Sequence, residues 1–121
     1  MREILFRGKR VDNQEWVYGF YFYDIGACIK ERPSAVSTHT YLIDQGTIGQ
    51  FVGLRDVHGV QIFEGDVIRW KDWKGEYQEH HVIYDQEWNR FCVWLSGAES
   101  FGVNKHMSKD IEVIGSIYDK N

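Results

Sequence analysis

The sequence predicts a mainly β protein with little helix, in which a small barrel-like domain with an SH3-like C-terminal portion follows an N-terminal β extension. Apolar positions recur with a period of two in short runs rich in Val, Ile, Tyr, Phe and Trp. Gly, Asp and Asn separate these runs, and Pro occurs once. The one helical segment expected is a single turn at 108–110, which is too short to stand without tertiary support.

The predicted strands follow one another along the chain. In the second of them, 16–23, Trp16, Tyr18, Phe20 and Phe22 occupy one face, and both faces are expected to be at least partly covered. A loop is expected at 96–101, and the pattern does not define the conformation of 24–46. The other predicted strands are 4–7, 41–43, 49–54, 61–63, 67–70, 81–84, 91–95 and 111–118.

Five residues carry the predicted turns and irregularities. Asp56 and Gly59 occupy the first and fourth positions of a type I turn. Gly65 lets the backbone bend before the next strand, and Asp66 is expected to bond local backbone groups at that bend. Gly115 interrupts the alternation of the last strand and predicts a bulge or close packing.

The length of 121 residues suits one domain, with a soft boundary between an N-terminal β subdomain at 1–45 and the barrel-like portion at 46–121. The net charge of −4 disfavours sequence-independent binding of nucleic acid. Cys28 and Cys92 show no paired spacing and are expected to be free thiols in a reducing compartment. No segment has the pattern of a signal peptide or a membrane span, so we expect a cytoplasmic protein.

Four segments of the chain carry a family likeness. They are 2–7, 47–56 followed by Gly59, 62–68 and 112–118. In this order they resemble the YopX family of small proteins encoded by bacteriophages and prophages. Members usually read Tyr-Thr-Gly-Leu where this chain has 51–54, and Asn-Gly where it has 58–59, so both glycines are retained. The resemblance implies a mainly β fold, a phage or prophage setting in a bacterial host and a cytoplasmic location, and it implies no catalytic residues.

Catalytic and metal-binding constellations are weakly represented. The five histidines lack the pairwise spacing of metal ligands, so no metal site or other cofactor is expected. The acidic pairs Glu64 with Asp66 and Asp85 with Glu87 would need to converge on a cleft to support hydrolysis, and turns use Asp readily. No nucleophile elbow, phosphate loop or dinucleotide fingerprint occurs. The sequence therefore favours a protein that is not an enzyme, although an enzyme with a cleft lined by Glu64, Asp66 or a histidine stays open.

Aromatic residues exceed what a small core needs, and basic residues lie among them. The interaction candidates are Trp70, Trp73 and Trp88 with Arg69, Lys71 and Lys74. The first hypothesis is an interaction module that binds protein, a second copy of the chain included, through an exposed patch containing at least two of these tryptophans. The alternative is a single-stranded nucleic-acid-binding domain that stacks bases on the aromatics, which the neighbouring carboxylates disfavour.

Overall fold

A computed structural model describes residues 4–31, 39–72, 74–86, 89–94, 100–103 and 110–119. Over these residues the chain is mainly β, which confirms the predicted fold class. The helical structure described is one short 3₁₀ turn at Gln45–Thr47, and no described helix is long and apolar enough to cross a membrane. The chain divides into two compact units, Met1–Phe51 and Val52–Asn121.

The first unit is built on an antiparallel sheet with the strand order β4-β3-β2-β1-β5. Strand β5 starts in this unit and continues into the second. Asp44 caps the 3₁₀ turn that leads into β5, because its carboxylate accepts a hydrogen bond from the Gly46 N–H. The strands are β1 (Phe6–Lys9), β2 (Trp16–Tyr23), β3 (Ala27–Glu31), β4 (Thr40–Leu42) and β5 (Gly49–Arg55).

One face of the β1–β4 sheet forms the core of the first unit. Val17, Ile29 and Ile43 are buried there, and Phe6, Tyr41 and Ile48 pack against them. Because successive side chains of a strand point to opposite faces, burial of Val17 places Trp16, Tyr18, Phe20 and Phe22 on the other face of β2. One apolar face of β2 therefore packs in the core of the first unit, and the other lies on the opposite side of the sheet.

The second unit contains the remainder of β5, which pairs with β6, and two three-stranded antiparallel sheets in the orders β12-β7-β8 and β11-β10-β9. Its core is a cluster of buried apolar side chains: Val52, Ile62, Ile68, Trp70, Val82, Phe91, Val93 and Ile111. The remaining strands are β6 (Gln61–Phe63), β7 (Asp66–Lys71), β8 (Tyr77–His81), β9 (Ile83–Asp85), β10 (Arg90–Trp94), β11 (Ser100–Gly102) and β12 (Glu112–Ser116).

Several details differ from the sequence-based expectations. The described sheets are open and end in edge strands, so they do not close into the barrel that the sequence suggested. Most of the loop expected at 96–101 lies outside the described residues, but Ser100 and Phe101 belong to strand β11, where pairing with β10 overrides the weak local pattern. The strand expected at 81–84 is divided at Val82, where β8 ends and β9 begins, and the Val82 N–H donates to the Asp66 carbonyl at the start of β7. The helical turn expected at 108–110 lies largely outside the described residues.

Candidate functional site

The turn between β5 and β6 is organised by one carboxylate. Asp56 Oδ1 accepts hydrogen bonds from the N–H groups of His58 at 2.8 Å and Val60 at 2.9 Å, and the Gly59 N–H donates to the Asp56 carbonyl at 3.0 Å. Gly59 has a φ of +83°, which glycine adopts without steric cost. Asp56 Oδ2 accepts a further bond from the Val113 N–H of β12. The carboxylate is therefore fully engaged in holding backbone.

These bonds also set the ionisation of Asp56. Burial would raise the pKa of the carboxyl group, but the N–H donors of Val113, Val60 and His58 outweigh burial and lower its pKa below the ordinary 3.8. A carboxyl group with a lowered pKa is a poor general acid or base near neutral pH. Asp56 thus serves the fold rather than proton transfer.

The turn between β7 and β8 repeats the same arrangement. Asp72 Oδ1 accepts hydrogen bonds from the N–H groups of Lys74 and Glu76, both at 2.9 Å, and the Gly75 N–H donates to the Asp72 carbonyl at 3.0 Å. Gly75 has a φ of +84°. The sequence carries the same Asp-x-x-Gly spacing at 56–59 and 72–75, so the second turn was readable from the pattern that predicted the first.

The bend before β7 also uses its polar residue structurally. Asp66 is 2% exposed, and its Oδ2 accepts a 2.8 Å hydrogen bond from the Phe63 N–H. Gly65 has a φ of +89° and donates its N–H to the Val82 carbonyl, while its own carbonyl accepts from the Ile117 N–H. These bonds fix the tight reversal between β6 and β7.

Strand β12 pairs with β7 through an irregular register. Val113 lies opposite Ile68 and Gly115 opposite Val67, so one extra residue on β12 forms a bulge at Ile114. A Cβ on Gly115 would stand 3.0 Å from Asp119 Oδ2. Gly115 therefore lies at a bulge with a close side-chain approach.

The tryptophans proposed as exposed anchors have different placements. Trp70 is 8% exposed and belongs to the core cluster of the second unit, together with Ile68, Val82, Ile111 and others. It belongs to that core rather than to an exposed patch, because β7 turns its even-numbered side chains inward. Trp73 and Trp88 lie outside the described residues.

Two of the three basic candidates, Arg69 and Lys71, share one sheet face beside the Tyr77 ring. Arg69 forms an ion pair with Glu112 at 3.3 Å and lies opposite Glu79 on the other neighbouring strand. The ammonium group of Lys71 lies 5.9 Å from the ring centroid of Tyr77, and Lys74 lies in the Asp72 turn. Carboxylates on the same sheet face therefore balance the charge of Arg69.

Among the described residues, the largest group of exposed aromatic side chains on one strand lies instead in the first unit. We call it the β2 face and define it as the side chains of Trp16, Tyr18, Phe20 and Phe22. Tyr18, Phe20 and Phe22 are 44%, 48% and 38% exposed. Sequence reasoning did not select these residues. The available signal was the run of aromatics on both faces of one strand, which is more than one core can cover.

Basic residues lie directly across from three of the four rings of the β2 face. In the strand register, Lys9 is opposite Trp16, Arg7 is opposite Tyr18, and Lys30 is opposite Phe20. Directly opposite residues of an antiparallel pair project from the same face of the sheet. Each of these rings therefore has a cationic side chain as its cross-strand neighbour.

Two of these cations contact the Trp16 ring. The guanidinium carbon of Arg7 lies 4.1 Å from the ring centroid, and the ammonium nitrogen of Lys9 lies 5.2 Å from it. Arg7 and Lys9 are buried, whereas Lys30 is exposed. The β2 face therefore has a buried cationic end at Trp16 and an exposed lysine beside Phe20.

The groups that the sequence offered for metal binding or catalysis have the following placements in the described residues. No group of three or more His, Cys, Asp or Glu in that part of the chain is arranged to hold a metal ion. Cys28 and Cys92 are buried free thiols, and burial raises the pKa of Cys92. Of the two acidic pairs considered from the sequence, Asp66 is buried within its turn and Glu87 lies outside the described residues.

The fold defines the class as a small, mainly β protein in which Asp and Gly residues hold the described turns. A family model described as YopX protein matches residues 5–121. The chain belongs to the YopX family, which confirms the likeness read from the sequence. Comparison with curated proteins finds no match.

Proposed function

We propose that this chain is a non-catalytic interaction module that acts by binding a macromolecule through the β2 face. The observation that carries the proposal is the exposure of Tyr18, Phe20 and Phe22 side by side on one strand. Contiguous exposed apolar surface commonly marks a binding site in a soluble protein, whereas scattered exposed residues do not.

The hydrogen bonds and burial of Asp56 and Asp66 favour a binding protein rather than an enzyme. Asp56 and Asp66 accept backbone hydrogen bonds that define two reversals of the chain. A catalytic carboxylate needs an accessible oxygen and a pKa near the working pH. Asp56 has a lowered pKa and Asp66 is buried, so both carboxylates serve the fold rather than catalysis.

Protein and nucleic acid are the two classes of partner to be distinguished. Aromatic side chains favour protein interfaces, and a second copy of the chain is the simplest protein partner. Single-stranded nucleic acid stacks on exposed rings flanked by cations, which the cross-strand lysine and arginine neighbours of this face favour. We place the module in the cytoplasm of a bacterial host as a phage or prophage accessory protein, following the setting that the family likeness implies.

Nuclear magnetic resonance mapping on the isotope-labelled chain tests the proposal. The spectrum is recorded over a micromolar to millimolar concentration series, and then with short single-stranded oligonucleotides and with a panel of amphipathic peptides. We expect at least one of these partners to shift the amide resonances of 16–22 and 28–30 in a saturable manner. A matched pair of variants, Tyr18→Ser and Tyr77→Ser, removes an exposed tyrosine from each unit, and only the first should abolish the shifts.

Two results would contradict an interaction module of this kind. One is a spectrum that no partner in the series changes. The other is chemical conversion of a probe accompanied by shifts centred on Glu64 and Asp66 rather than on the β2 face.

A further inference from the structure

We propose that the β2 face binds single-stranded nucleic acid, with bases stacked on Tyr18, Phe20 and Phe22 and the phosphate backbone tracked by Lys30. This inference rests on the proposed function, because it names the ligand of the same face. It also reverses the order of preference that the sequence suggested, and three physical arguments carry it.

The first argument is the spacing of the rings. Alternate residues of a strand lie about 6.8 Å apart along it, which is about twice the rise of a stacked nucleic acid per nucleotide. The gap between two neighbouring aromatic rings on β2 is therefore wide enough for one base to stack between them. Base stacking on aromatic side chains is tolerant of sequence, because every base presents a π face.

The second argument is charge. Residues 1–51 hold six basic and six acidic residues, whereas 52–121 hold eight basic and twelve acidic residues, so the net charge of −4 belongs to the second unit. Among the described positions of β1 to β4 on the same side of the sheet as the β2 face, the charged residues are Arg7, Lys9 and Lys30. No acidic residue occupies any of these positions. The overall charge that disfavoured nucleic acid is thus absent from this face.

The third argument is area, which separates nucleic acid from a second copy of the chain. Strands β1 to β4 present a face on the order of 400 Å², from strand spacings of about 4.8 Å and a same-face repeat of about 6.8 Å. A stable protein interface needs about 800 Å² from each partner. The face suits a strand of a few nucleotides better than a stable dimer.

Fluorescence anisotropy of labelled oligothymidylate and oligouridylate, titrated with the full-length chain at several salt concentrations, tests the proposal. We expect saturable binding at low salt, and Phe20→Leu should weaken it about tenfold by removing a stacking ring while keeping an apolar side chain. Lys30→Gln should reduce the slope of log affinity against log salt by about 0.7, the value for one phosphate contact on a single strand.

The second unit supplies matched controls. Tyr77 is exposed on a strand and lies beside Arg69 and Lys71, but Glu79 and Glu112 share its face. Tyr77→Leu and Lys71→Gln should therefore leave both affinity and salt slope unchanged. Circular dichroism and thermal unfolding establish that every variant is folded.

Three outcomes would overturn the proposal. They are an anisotropy that does not change at low salt, equal losses in the control variants, and self-association that Phe20→Leu abolishes while oligonucleotides have no effect. The last would retain the β2 face as an interaction surface and assign it to a second copy. Failure of the nucleic-acid inference is therefore distinguishable from failure of the interaction module.

Discussion

Asp56 Oδ2 accepts a 2.9 Å hydrogen bond from the backbone N–H of Val113, a residue 57 positions further along the chain. The same carboxylate closes the β5–β6 turn through Oδ1. One side chain thus joins a local turn to the last strand of the second unit.

Removal of this carboxylate should destabilise the second unit. Asp56→Ala leaves the N–H groups of His58, Val60 and Val113 without their acceptor, and we expect a loss on the order of 2 to 3 kcal/mol in the free energy of unfolding. Urea denaturation at neutral pH measures it. Asp56→Asn keeps one oxygen acceptor and should lose less, so an equal loss in the two variants would show that the second oxygen matters as much as the whole side chain.

Acid should weaken the fold through the same group. The folded-state pKa of Asp56 is lowered below 3.8, because its N–H donors outweigh burial, and the pKa of Asp72 is lowered by the Glu76 N–H and the Gln78 side-chain amide. Carboxylates of this kind contribute their full stabilisation above the unfolded pKa and lose it as the pH falls through the folded pKa.

We therefore expect the contribution of these two groups to be constant between about pH 7 and pH 5 and to decline below about pH 4. Urea denaturation across this range measures it. Asp56→Asn should be less stable at neutral pH, and its stability should depend less on pH in the acidic range. If the free energy of unfolding of this variant falls with decreasing pH as steeply as that of the unmodified chain, the acid sensitivity belongs to other carboxylates.

Gly65 combines a left-handed backbone with a crowded side-chain position. A Cβ at Gly65 would lie 2.8 Å from Tyr118 Cε2, whereas a Cβ at Gly59, which has a similar φ, would have no atom within 4 Å. Gly59→Ala should cost about 1 to 2 kcal/mol for the backbone alone. Gly65→Ala should lower the free energy of unfolding by more than Gly59→Ala does, as measured by thermal or urea unfolding. Adding Tyr118→Ala to the Gly65→Ala variant should recover only the difference between the two costs. Equal costs at the two glycines would contradict a steric contribution from Tyr118.

Gly19 permits the close approach of β3 to β2. A Cβ at this position would lie 2.1 Å from the Lys30 carbonyl oxygen, and main-chain atoms cannot move aside as a flexible side chain can. We expect Gly19→Ala to destabilise the first unit by about 3 kcal/mol, at the upper end of overpacking costs. Gly46→Ala is a suitable comparison, because its Cβ would find ordinary contact at 3.6 Å from Asp44 Oδ1. A loss at Gly19 no larger than at Gly46 would show that the strands can separate.

Local features of the fold could be predicted from the sequence, and long-range ones could not. The Asp56–Gly59 turn was readable because four consecutive residues determine it, and the strand periodicity was sufficient to predict a mainly β chain. The contact of Asp56 with Val113 has no local signal, since the partner is a backbone N–H far along the chain. Whether sheets close into a barrel or stay open, as the described ones do, likewise depends on pairings that no short pattern specifies.

The exposed site was harder to predict for a related reason. Period two assigns Val17 and Phe20 to opposite faces of β2, but both faces are apolar, so the pattern does not say which one the rest of the chain covers. For Trp70, alternation gives the face but not its depth, because its core cluster includes residues far along the chain, such as Val82 and Ile111. An excess of aromatics was visible, whereas the identity of the exposed ones required tertiary structure.

The two Asp-x-x-Gly turns also bear on the order in which the chain folds. Each hairpin can close from neighbouring residues alone, on the microsecond scale of isolated hairpins. Strand β12 must instead cross a long loop to reach β7, and closing that loop has a larger entropic cost. We expect Asp72→Ala to slow refolding and Val113→Ala to accelerate unfolding, so that a ribosome-bound chain ending before β12 would already hold both hairpins.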